Sequence, residues 1–168
     1  MTQRPKGGFT YMVTPPTSLS EICNFRAVND TLGTSGQPNE HQFRAIRDAR
    51  FEAVINLALP TSDNAIAKEG SIVTGLGMSY VHIPVDFTAP NPQDFTTFCR
   101  VMDAFSGRRV FVHCAVNKRV SAFVFLYRVL HLRASRSEAE RDLHAIWQPD
   151  DVWSRFIRDQ LESDEHAA

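Results

Sequence analysis

The chain has 168 residues, a formal net charge of −1 and 43% hydrophobic residues, enough for one domain that buries its own core. With no basic block and no acidic tail, the even charge balance excludes a dedicated nucleic-acid surface or an anionic-membrane surface. Three widely spaced cysteines, Cys23, Cys99 and Cys114, make neither a disulfide framework nor a metal signature. A reducing, cytoplasmic setting is expected, with Cys23 and Cys99 as small core residues.

Residues 1–20 are polar, rich in Pro and Thr and without periodicity, and read as a loose arm that lacks the apolar core of a signal peptide. The domain is expected over 21–162, with 163–168 as a tail. Phe25–Val28 and Leu32–Ser35 read as two short strands around an Asn29-Asp30 turn. Gly36-Gln37-Pro38 then breaks the chain, and Asn39 with Gln42 forms a capping box for a helix that presents Phe43 and Ile46 on one face. Phe51–Leu59 is apolar and partly β-branched, a strand that stops at Pro60. Ser62 or Asp63 is positioned to cap a helix running to Gly75-Leu76-Gly77.

Tyr80–Val85 is the next strand. Asn91-Pro92 supplies an N-cap and a first-turn proline for a helix with Phe95, Phe98, Cys99 and Met102 on one face. Val110–Val112 is a short apolar strand, and Lys118–Leu132 a helix, too short and too polar at Arg128 and His131 to span a bilayer. Ser137-Glu138-Ala139-Glu140 reads as a capping box for a further helix, and a last one covers Asp151 to about Leu161. Strands alternating with helices predict an α/β fold: a short, mostly parallel sheet flanked by helices, with a helical C-terminal third.

In such sheets ligands bind beyond the carboxyl ends of the strands. Three ends carry polar residues: 60–64, 86–90 and 113–121. The last joins a strand to a helix through His113-Cys114, and the amides of such a turn, with the helix N-terminus, favour an anion. The same setting favours the Cys114 thiolate. Arg119 offers a planar fork to phosphoryl oxygens. Asp86, 28 positions before Cys114, is a candidate general acid for a leaving oxygen, with Asp63 a weaker competitor.

His113-Cys114-Ala115-Val116-Asn117-Lys118-Arg119-Val120-Ser121 resembles the His-Cys-x-x-Gly-x-x-Arg-Ser/Thr signature of protein tyrosine and dual-specificity phosphatases. Thr34–Pro38, Phe43 and Val54–Leu57 are similar to a small bacterial branch of phosphatase-like proteins, including domains found with β-lactamase-fold hydrolases. The resemblance, over Asn24 to about Ile157, implies a cysteine-phosphatase fold that takes a phosphorylated substrate or binds an oxyanion such as phosphate or sulfate. It implies a cysteinyl-phosphate mechanism without metal or cofactor. Cys114 would be the nucleophile, Ser121 would ease departure of its thiolate, and His113 would orient the loop. Ala115, Val116, Asn117, Lys118 and Val120 would line the phosphate. Asp86 carries over by loop position.

Two departures stand out. Four residues separate Cys114 from Arg119 where the family has five, so Val120 falls in the arginine slot if Ser121 keeps its place. A displaced arginine implies low activity. Asn117 replaces the loop glycine, and Asn tolerates the left-handed backbone better than most residues. Two other readings use the same loop: an inactive relative that binds a phosphorylated partner, and a rhodanese-type sulfurtransferase.

Overall fold

The computed structural model describes residues 18–167. Most of the expected arm therefore lies outside the described residues; its last residues form a single 3-10 turn, Leu19–Glu21, capped by the Ser18 hydroxyl. Five strands follow: β1 (Arg26–Asn29), β2 (Leu32–Ser35), β3 (Ala53–Asn56), β4 (Ser79–His82) and β5 (Val110–His113). Six α-helices complete the domain: α1 (Glu40–Asp48), α2 (Glu69–Gly75), α3 (Pro92–Ala104), α4 (Lys118–Leu130), α5 (Arg136–His144) and α6 (Asp151–Ala167).

The sheet runs β1-β2-β5-β3-β4, and β1 alone is antiparallel. The parallel β5 and β3 at its centre are wholly buried, as strands covered on both faces must be. Alternation along them builds two cores. Ala53, Ile55, Val110 and Val112 face one side, with Phe98, Phe123, Trp153 and Phe156; Val54 and Phe111 face the other, with Phe43, Ile46, Val73 and Met78. Helix α4 is buried almost all round, from Arg119 to Tyr127, and α5 and α6 pack against it. Among the described residues no helix is long and apolar enough to cross a membrane.

Local signals set several boundaries. Asn39 and Gln42 form both bonds of the capping box, at 2.9 Å each. Asn91 caps α3 through the Gln93 amide, with Pro92 at the first position. Gly77, at φ 83°, ends the α2 segment in a backbone state that suits glycine.

Elsewhere tertiary contacts override local preference. Neither Ser62 nor Asp63 caps a helix: α2 starts only at Glu69, after Lys68, with no side-chain cap. Residues 59–65 instead form successive turns, Ser62 N–H to the Leu59 carbonyl and Ala65 N–H to Ser62. Helix α5 begins at Arg136 after Ser135, so Ser137 lies inside it and the expected capping box there does not form. The strands expected over Phe51–Leu59 and Tyr80–Val85 are shorter, Ala53–Asn56 and Ser79–His82, although Ile83 and Val85 still donate to the Asn56 and Leu57 carbonyls beyond their ends. Helix α6 continues through the expected tail. Cys99 is buried, but Cys23 is exposed rather than a core residue, because the chain there lies on the surface beside Gly36.

Candidate active site

The carboxyl ends of β2, β5, β3 and β4 lie side by side and send out four loops. The centre of this edge is the segment Cys114–Asn117, between β5 and α4. Cys114 is fully buried, and its amide donates to the Ser35 carbonyl at the end of β2.

The loop is held by its carbonyls. The Ala115 carbonyl accepts from the Gln37 amide at 3.1 Å and from Asn64 Nδ2 at 3.0 Å. The Val116 carbonyl accepts from Asn24 Nδ2 at 3.0 Å. In a planar trans peptide the N–H points opposite to the preceding carbonyl. Drawing the Ala115 carbonyl into this bracket therefore turns the Val116 N–H the other way. Gly36 is what lets the bracket come so close, since a Cβ there would meet the Ala115 oxygen at 2.9 Å and Cys23 at 3.1 Å.

Asn117 completes the turn. It adopts φ 69°, the left-handed state expected at the missing glycine, and its Nδ2 donates to the Asn24 carbonyl at 2.7 Å and to Thr34 Oγ1 at 3.2 Å. It caps α4 without a side-chain bond to the first turn. Among the described residues, the amides of Ala115, Val116, Lys118, Arg119 and Val120 find no acceptor. A turn of free amides at a helix N-terminus is an anion cradle.

The two cations in the first turn of α4 pack against aromatic rings. The Arg119 guanidinium lies 5.4 Å from the Phe87 ring centroid, and Lys118 Nζ lies 5.1 Å from Trp147 and 6.0 Å from Phe87. Arg119 is only 7% exposed, its Nε is buried without a hydrogen-bond partner, and no carboxylate among the described residues is within ion-pair distance of it. Val120 is fully buried in the apolar core, so the slot that register alone assigned to arginine is not open to a charge. The shorter loop thus leaves Arg119 beside the loop that carries Asp86.

Asp86 is exposed. Its carboxylate accepts from the amide and the hydroxyl of Thr88, each at 2.8 Å. Those two bonds hold its pKa below the ordinary carboxylate value, and Arg119 acts in the same direction. Asp63 is exposed on the turns after β3, whose neighbour Asn64 is the residue that reaches the cradle. Ser121 does not bond Cys114: its hydroxyl donates to the Lys118 carbonyl at 2.9 Å and accepts from the Trp147 indole at 3.1 Å.

His113, fully buried, meets a residue that sequence reasoning missed. Its Nε2 lies 2.8 Å from Glu69 Oε1, and Glu69 also accepts from Asn56 Nδ2 at 3.0 Å and Gln37 Nε2 at 2.5 Å. Burial alone would raise the Glu69 pKa, but the bonds from His113 and Gln37 outweigh it and leave it lowered. Nothing in the local sequence marks Glu69 beyond an acidic residue in a helix's first turn.

The comparisons agree with this geometry. The family model described as "PTP-NADK: DSP-PTPase phosphatase fused to NAD+ Kinase" matches residues 17–155. A crystal structure of a DUF442 phosphatase-like protein of Shewanella putrefaciens CN-32 is 32% identical, covers 86% of this chain and 95% of its own, and superposes with a TM-score of 0.78. The β-lactamase hydrolase-like protein of Xylella fastidiosa is 29% identical over 122 residues, 70% of this chain. The chain spans only 28% of the length of that curated relative. Pseudomonas aeruginosa TpbA, crystallised with phosphotyrosine, shares the fold at 16% identity and a TM-score of 0.66, covering 88% of this chain and 91% of its own. With the match over 17–155 and the Shewanella relative together, the chain belongs to the dual-specificity and protein-tyrosine-phosphatase-like family.

Proposed function

We propose that the chain hydrolyses a phosphate monoester through a cysteinyl-phosphate intermediate. The observation that carries this reading is the start of α4: five amides without an acceptor and, in the same turn, Arg119, a residue 7% exposed whose Nε is buried without a hydrogen-bond partner and which has no carboxylate within ion-pair distance. Unfilled amides and a guanidinium largely withdrawn from water both favour an oxyanion, which would supply the acceptor and a close counter-charge.

In this reading the phosphate dianion sits on the amides of 115–120, with Arg119 taking up the charge that develops on its equatorial oxygens. The thiolate of Cys114 attacks phosphorus. A sulfur–phosphorus bond forms as the ester oxygen–phosphorus bond breaks, and the leaving oxygen takes a proton from Asp86. Water then attacks the phosphocysteine, returns a proton to Asp86 and frees phosphate and the thiolate. Because Cys114 is fully buried, the loop has to admit the phosphoryl group before the sulfur is reached. Asp86, ionised in the free protein at neutral pH, must gain its proton with the substrate, so turnover of esters with poor leaving groups is expected to be slow.

Neither an inactive binding role nor sulfurtransfer has an observation of its own in this site. The test is phosphate release from p-nitrophenyl phosphate and from alkyl and aryl phosphomonoesters by the purified chain, with acid-quench mass spectrometry of the Cys114 peptide. Release of phosphate with a phosphate-mass adduct on that peptide is the expected result. Turnover that persists in Cys114→Ser, or phosphate binding without any release, overturns it.

A further inference from the structure

Below the cradle lies a buried polar cluster that the proposed reaction does not use. Glu69 from α2 is 3% exposed and gathers donors from the ends of three neighbouring segments: Gln37 after β2, Asn56 of β3 and His113 of β5. Tyr80 of β4 bonds Asn56 at 3.2 Å, and the Phe43 ring of α1 sits edge-on to His113 at 5.9 Å. Glu69 is the titratable group bonded to His113, and Tyr80 bonds Glu69 and Asn56 in turn. Two of the three donors govern the cradle directly. His113 immediately precedes Cys114, and the Gln37 amide holds the Ala115 carbonyl.

The hydrogen-bond inventory assigns the proton on His113. Glu69 accepts from Asn56 on Oε1 and from Gln37 on Oε2, and with both oxygens already accepting, Nε2, at 2.8 Å from Oε1, is the donor and carries hydrogen. Nδ1 is buried with no partner, and a proton there would be an unsatisfied buried donor. We infer that Glu69 is a positioning residue: it fixes His113 as the neutral Nε2–H tautomer and, with Gln37, sets the carbonyl-out, amide-in shape of the phosphate loop. This rests on the phosphatase reading for its kinetic consequence, but the tautomer stands apart from turnover.

Glu69→Gln is the informative variant, because it can be accommodated. The new amide group can face Gln37 if the Gln37 side chain flips, and Gln37 Oε1 is at present buried without a partner. The experiment records imidazole nitrogen resonances of His113 in the natural chain, Glu69→Gln and Glu69→Asp, with kcat and KM for p-nitrophenyl phosphate. The natural chain is expected to show His113 protonated at Nε2 alone at neutral pH. Glu69→Gln should change the His113 resonances and lower kcat by about 10- to 100-fold, the scale of loss from a small misplacement of reacting groups. Glu69→Asp, which keeps the charge, should recover part of both effects. A proton on Nδ1 in the natural chain overturns the inference, as does a folded Glu69→Gln with unchanged resonances and unchanged kcat. If the natural chain turns nothing over, the phosphatase reading fails while the resonances still decide the role of Glu69.

Discussion

The two sides of the site are built on opposite principles. The nucleophile side is enclosed: Cys114, His113 and Asn117 are fully buried, and Gln37, Asn64 and Asn24 hold the loop by its carbonyls. The acid side is open: Asp86 is exposed, held by one neighbouring threonine. Phe87 connects them, with its ring near Arg119 and its carbonyl accepting from the Trp153 indole at 2.9 Å. A cradle for a dianion has to be rigid before the ligand arrives, since its donors cost nothing further to organise at the moment of reaction. An acid must exchange its proton with water each cycle and belongs where water reaches it. The difference predicts that mutations on the first side act on every substrate, and on the second only on some.

The sharpest break of the first side is Cys114→Ser, expected to lower turnover more than about a thousandfold while phosphate binding by calorimetry persists. Loss of binding as well would show that the sulfur, not the amides, holds the anion. Arg119→Ala follows, with an expected loss of about 10²–10³ in kcat on all esters, the cost of one developing-charge donor. An unchanged rate would mean that the guanidinium is aimed away from the phosphoryl group and that the displaced-arginine expectation from the loop length is right.

Asp86→Asn probes the second side. Turnover of alkyl phosphates should fall by about 10²–10⁴-fold while p-nitrophenyl phosphate is little affected. The pH sign follows from the lowered pKa of Asp86: its acid form appears only below the ordinary carboxylate range. The ratio of alkyl to p-nitrophenyl rates should therefore rise as pH falls, and a ratio independent of pH would remove Asp86 as the acid.

Asn117 separates backbone from bracket. Asn117→Ala places a Cβ residue at φ 69° and removes bonds to the Asn24 carbonyl and Thr34, with an expected cost of about 2–4 kcal/mol in denaturant melts. Asn117→Gly should restore about 1 kcal/mol of that by tolerating the backbone. Equal losses in both variants would place the whole effect in the side chain.

The smallest effect lies away from the site. Burial raises the Asp142 pKa, but the bonds from Arg26 and Arg128 outweigh it and leave it lowered. A depressed carboxylate adds stability above its unfolded pKa and loses it as pH falls through the folded value. Asp142→Asn should cost roughly 1 kcal/mol at neutral pH, and its melting curve should converge with the natural one in strong acid.

Thiol labelling needs one correction to the cysteine picture. Cys23, exposed, is expected to label, whereas burial pushes the Cys99 thiol up to about 12 and leaves it inert.

By itself the sequence determined what short-range chemistry determines. The capping box at Asn39, the Asn91-Pro92 start and the His113-Cys114 turn are all signals read over a few residues, and each lies where expected, whereas the apolar runs marked strands without fixing their ends. Only the tertiary structure decided the rest. Whether Arg119 or Val120 meets the site depends on how α4 rotates to bury Val120 in the core, which loop counting cannot supply. The turns at 59–65 win over a local helix cap because Asn64 is drawn to the Ala115 carbonyl, 51 residues away. Glu69 stands 44 positions from His113 and carries no local mark, since a buried acid is recognised only by the donors that the folded sheet brings to it.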